Sequence, residues 1–222
     1  MNILTALIRK EFLQELRSRE ILLASITYAL LVSVLSAIGV HGGFINTITA
    51  TKISPMLIWL TFLVAATNAI GRSFQPEIEH GAIDLIRIAK VPAPLIFVSK
   101  WLPLSTILIV TVAVIALTLN VLLDLSLPLL SPSLFFLAIT IALGYSALAV
   151  LFSPIATHSN IGSLLLPLVL TPLLFPLFLA AIEHTATILS GGNSSFWFSF
   201  AALLSFLYVL LGLNLYQFVI EE

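Results

Sequence analysis

Cysteine is missing from this chain of 222 residues. Disulfides, thiolate nucleophiles, iron–sulfur clusters and cysteine-held zinc are excluded with it. Charge is nearly as scarce. Only 9% of residues are Asp, Glu, Lys or Arg, where a soluble domain carries about 25%. Water cannot cover a surface so poor in charge, so the expected solvent is lipid. Basic residues stop at Lys100, and none lies between Trp101 and Glu222. That excludes nucleic-acid binding by the second half, because phosphate neutralisation needs Lys or Arg.

Sites for chemistry are lacking too. No Gly-Lys dipeptide occurs, so the chain has no Walker A loop for ATP. Neither His-Glu-x-x-His nor Gly-x-Ser-x-Gly is present, which argues against an intramembrane metalloprotease or serine hydrolase. The chain is therefore not expected to be an enzyme or to hold a cofactor.

What remains is hydrophobic: 60% of the sequence. A bilayer core of ~30 Å takes about 20 apolar helical residues. Six runs meet or approach that length, at about 21–40, 55–71, 102–123, 134–153, 161–182 and 196–219. The reading is a single all-α membrane domain over residues 1–222 with six spans. No internal repeat or long linker divides it, and the N-terminus does not read as a cleavable signal peptide. No ionisable residue falls near the middle of a run, which disfavours a proton-driven carrier. Any energy for movement is expected from another subunit.

Basic residues set the orientation. Arg9, Lys10, Arg17 and Arg19 precede the first run, and Arg72, Arg87, Lys90 and Lys100 lie between the second and third. Six spans put these two groups on one side, with only Lys52 opposite. That side is predicted to be cytoplasmic and to hold both termini.

Two amphipathic segments accompany the spans. Leu4, Leu7, Ile8, Phe12 and Leu16 recur at helical spacing, with Arg9, Lys10, Gln14 and Arg17 on other faces. This predicts an interfacial helix within residues 1–20. The second is 76–90. Pro76 suits a first helical position, Glu77 and Glu79 its first turn, and Arg87 and Lys90 its last. Glu77, His80, Asp84 and Arg87 form a polar stripe; Ile78, Ala82, Leu85, Ile86 and Ala89 form an apolar one. Pro92 and Pro94 are expected to end it.

Single residues suggest less. His41 and His184 fall on the outward side and offer two nitrogens to a haem iron, but no spacing or carboxylate supports ligation. No metal site is expected. Pro167, Pro172 and Pro176 interrupt the fifth run; they mark either a broken helix lining a path or subunit interface, or a simple kink. Asn68, Asn120 and Asn214 are expected to hydrogen-bond between helices. Trp59, Trp101, Trp197 and Tyr216 read as interface anchors.

The layout looks like the membrane subunit of an ABC-2-type exporter. The segments Pro55-Met-Leu-Ile-Trp59, Arg72-Ser-Phe74, Glu77, Gly81-Ala-Ile83, Pro92-Ala-Pro94 and Lys100 resemble CcmB, the haem exporter protein B family of cytochrome c maturation. The opening Ile8-Arg9-Lys10-Glu11-Phe12 and the pair Pro172 and Pro176 are similar as well. Two features depart from the family: His80-Gly81 stands where an acidic-Gly pair is usual, and Ser153–Ile161 lacks Lys and Arg. The resemblance implies a multi-pass permease of a bacterial inner membrane, with a mitochondrial inner membrane as the alternative. It implies a separate cytoplasmic ABC ATPase that binds ATP, and a haem-handling membrane protein and haem chaperone as further partners. Haem would be cargo, or ATP-driven motion would release the loaded chaperone. Helix 76–90 would then be the coupling helix, with Glu77, Ile78, Gly81, Ala82, Asp84 and Leu85 touching the ATPase. Six spans are few for a path, so a homodimer is expected. The competing readings are a non-transporting scaffold of the same complex and a permease of another ABC-2-type exporter.

Overall fold

In hydrocarbon every backbone N–H and C=O must find its partner within the protein, and a helix does this locally. The computed structural model describes residues 3–44, 47–73, 92–125, 131–158, 162–192 and 195–221, and these residues obey that rule. They form seven α-helices and one π-helical turn: α1 Ile3–Ser18, α2 Glu20–Gly39, the π turn Val40–Phe44, α3 Thr47–Ser73, α4 Ala93–Leu122, α5 Pro132–His158, α6 Gly162–Leu189 and α7 Ser195–Glu221. Helices α2 to α7 are each long and apolar enough to cross a bilayer. The chain is an all-α, multi-pass membrane protein.

The turn between α1 and α2 is a single left-handed residue, Arg19, at φ 55°. The Glu15 side chain completes this corner. Its carboxylate accepts the N–H of Leu22 at 3.0 Å, one of the amides that the first turn of α2 leaves without a helical partner. Burial raises the Glu15 carboxyl above its ordinary pKa; N–H groups of Leu22 and Ile21 oppose the rise, and Glu20 adds to it.

Proline starts some helices and lies inside others. At the head of α5, Ser131 accepts the N–H of Leu134 at 3.4 Å, with Pro132 as the first helical residue. Pro92 and Pro94 begin α4. Pro55 and Pro154 lie inside α3 and α5. Each deprives the carbonyl four residues earlier of its N–H. The serine before each proline supplies the missing donor: Ser54 Oγ to Thr51 O at 2.8 Å, and Ser153 Oγ to Val150 O at 2.8 Å.

Helix lengths depart most from the sequence expectation at three places. Helix α3 begins at Thr47 rather than near 55, because Ser54 lets it pass through Pro55. Helix α4 begins at Ala93 rather than near 102, taking Lys100 inside it. Helix α6 runs on to Leu189, past 182. Its stop signal is Gly191, at φ 72°, after which Gly192 N–H returns to Thr187 O at 2.9 Å.

Helix α4 is the hub, packing on α1, α2, α3, α5 and α7. Helix α5 is the most buried span and packs most extensively on α7. Small residues permit this: Ala142, Ser146, Ala147 and Ala149 are fully enclosed. A methyl group at Gly144 would sit 2.5 Å from Ser205 Oγ. Such close backbone approach is how membrane helices gain packing where no hydrophobic effect drives them together. Helices α2 and α7 turn broad apolar flanks outward, including Leu31, Leu35, Ile38, Leu203 and Phe206. These flanks meet lipid.

Candidate functional site

Two ends of the bundle matter. One carries the α1–α2 corner, the close of α3, the opening of α4 and the close of α7; it is the terminal face. The other carries the far connections and is the opposite face.

The residues assigned by sequence to ATPase contact, Glu77, Ile78, Gly81, Ala82, Asp84 and Leu85, lie outside the described residues. The elements that flank them are defined. Segment 74–91 joins the last turn of α3 to the first turn of α4 in sequence. The first three turns of α4 are held on three sides. Lys100 Nζ lies 3.8 Å from Glu11 Oε1 of α1, with both side chains largely buried; Lys10 meets the same oxygen at 3.3 Å. Trp101 Nε1 donates to the Leu143 carbonyl of α5 at 3.0 Å. Phe97 stacks on Trp101 at 6.2 Å and meets Tyr216 of α7 edge-on at 5.6 Å. Gly212 of α7 makes room for that ring, since a methyl there would run into Phe97. The opening of α4 is thus tied to α1, α5 and α7 together.

The three prolines of the fifth run lie within one continuous helix, α6. Pro172 is exposed and Pro176 half-buried. In the turn before Pro176, the Leu173 carbonyl accepts the hydroxyl of Tyr208 from α7 at 2.6 Å. The bond ties α6 to α7 beside the proline pair.

At the opposite face the histidines are engaged in different junctions. His41 Nε2 meets the Leu122 carbonyl at 2.7 Å, joining the π turn to α4. His184 is buried; its Nε2 meets Ser133 Oγ at 2.9 Å and its ring lies 5.6 Å from Phe198. Among the described residues no three His, Asp or Glu side chains gather to hold a metal ion.

The family model described as CcmB protein matches residues 2–220. The chain belongs to the CcmB family. Two relatives of this CcmB-family chain are named Heme exporter protein B. The one from Bradyrhizobium diazoefficiens is 28% identical over 198 residues, covering 87% of this chain and 86% of its own. The one from Rhodobacter capsulatus is 27% identical over 139 residues, covering 60% of each. No solved structure matches the chain.

Several interhelical contacts of this CcmB-family chain escaped the sequence reading. Asn68 and Asn214 were expected to bond between helices, but each amide donates to its own helix, to Val64 O and Leu210 O. Among the described residues, Ser, Thr, Tyr, Trp and His side chains bond between the spans. Thr111 Oγ1 donates to Ser25 Oγ at 3.1 Å, Thr67 pairs with Tyr145 at 3.0 Å, and Ser205 Oγ donates to Thr140 O at 2.8 Å. Trp59, expected as an interface anchor, is buried in the core of α3. Its Nε1 donates to Thr185 of α6 at 3.0 Å, and its ring packs edge-on against Phe62 and Phe178. The cause is the early start of α3, which carries Trp59 into the middle of the span.

Proposed function

We propose that this chain is the membrane permease subunit of an ABC-type complex serving cytochrome c maturation, powered by a separate ATPase. The observation that carries the reading is the CcmB family match over residues 2–220. The names of the two relatives supply haem as the transported class. The clamped opening of α4 supports the route of force. Residues 76–90 seat in a groove of the ATPase, with Glu77, Ile78, Gly81, Ala82, Asp84 and Leu85 as contacts, and nucleotide-driven motion reaches the bundle as a rigid-body shift.

In this reading the terminal face is cytoplasmic, since the first and second basic groups both fall on it. The membrane is a bacterial inner membrane. Two copies assemble, and Pro167, Pro172 and Pro176 border the path or the subunit interface. Haem crosses as cargo, or the motion frees a haem-loaded chaperone held by a neighbouring membrane protein.

The test is co-purification followed by reconstitution. An ATP-hydrolysing subunit is expected to purify with the intact chain and to be lost with Leu85→Asp or Asp84→Arg. ATP turnover in liposomes should change when the permease is present. A complex that survives both substitutions would overturn the coupling assignment. Turnover indifferent to the permease would favour a scaffold.

A further inference from the structure

Above the Trp59–Thr185 contact the bundle is not filled. A cavity of about 450 Å³ lies between α3, α4, α5 and α6, toward the opposite face. Its volume is that of sites that hold small ligands, roughly 300–1,000 Å³. The deep wall is buried and includes Trp59 (3% exposed), Val112 and Thr185. The rim is open: Leu117 of α4 is 53% exposed, Phe135 of α5 is 57% exposed, and Ala113 of α4 is exposed as well. Every lining residue belongs to a membrane-length apolar helix.

We infer that this cavity takes an acyl chain of a membrane lipid, admitted sideways between α4 and α5. The chemistry of the wall selects the occupant. Its two polar groups satisfy each other: Trp59 Nε1 donates to Thr185 Oγ1 at 3.0 Å, and Thr185 Oγ1 donates to Ala181 O at 2.7 Å. A cavity holds water only where polar atoms anchor it, and apolar cavities of this kind stay dry and accept apolar guests. No charge lines the wall, so a headgroup has nothing to bind. The rim is continuous with the lipid-facing flank of α4 and α5, where Val121 and Phe136 are also exposed. What lies against that flank in a bilayer is hydrocarbon, and a dry opening in it is filled by hydrocarbon.

Trp59 reports on its own cavity. Trp101→Phe and Trp197→Phe leave it as the sole tryptophan of the full chain, reconstituted in phosphatidylcholine vesicles brominated at mid-acyl positions. A buried Trp59 that still loses about half its emission to the brominated chains supports the inference. Emission equal to that in unbrominated vesicles overturns it. Ala116→Phe, which fills the cavity from α4, is expected to restore the emission, with Ala116→Leu serving if the larger ring prevents folding. Quenching that persists in the filled protein overturns the inference, because bromine then arrives by another route. The chain has no cysteine of its own, so Leu117→Cys tests for a protein occupant. Efficient disulfide dimers through Leu117→Cys would assign the rim to a second copy and overturn the lipid assignment.

Discussion

Ser54 and Ser153 show how much one hydroxyl decides in a bilayer. Each donates to the carbonyl that the following proline has stripped of its N–H. Without that donor a buried carbonyl would face hydrocarbon unpaired, at about 1–3 kcal/mol. Ser153→Ala alone is therefore expected to lower stability by about 1 kcal/mol. With Pro154→Ala, which returns an N–H to the Val150 carbonyl, the serine change should cost little. Reversible unfolding of the four variants gives the coupling. Additive effects would mean that the serine bond serves no proline. The same reasoning explains where α3 begins. The apolar run at about 55–71 marks only part of α3; Ser54 carries the helix through Pro55 from Thr47.

The corner between α1 and α2 and the contact between α4 and α7 are properties of elements. The corner depends on Glu15 capping α2. Because burial raises the Glu15 carboxyl, the folded state prefers the protonated acid. Its contribution is complete below the ordinary carboxyl pKa and is lost as pH rises through the raised value. Thermal stability should fall, as pH rises from about 4.5 through the raised value, by more in the native chain than in Glu15→Gln, which keeps an acceptor oxygen and carries no charge. Equal pH dependence would remove Glu15 from the account. At the second contact, Gly212 lies against the Phe97 ring. Gly212→Ala should cost about 1–3 kcal/mol by overpacking. Phe97→Leu added to it should recover most of that loss, while failure to recover would place the strain elsewhere. Periodicity showed that these helices exist. It could not show which small residue meets which ring, since that is set by helix rotation and depth.

For the whole molecule, the solvent was legible from charge alone, and six apolar runs became six long helices. The helix in 1–20 was legible from its amphipathic spacing. The cavity and the clamp on α4 were not, because each is built by residues from several helices with no spacing in sequence. Helix α4 has a further consequence. Its 30 residues extend about 45 Å at 1.5 Å per residue, against a hydrocarbon core of about 30 Å. Tilt alone would have to reach about 48° to hide that length, beyond the range of roughly 0–40° seen in spans. A surplus stands in the headgroups, and the Lys100–Glu11 pair marks its depth. A thicker bilayer would draw this pair toward oil, where separating the charges is costly. The pair should therefore grip α1 harder in vesicles of longer-chain lipid, and protease protection of α1 should rise with chain length there but not in Glu11→Gln. The protein would then sense the thickness of the membrane it inhabits.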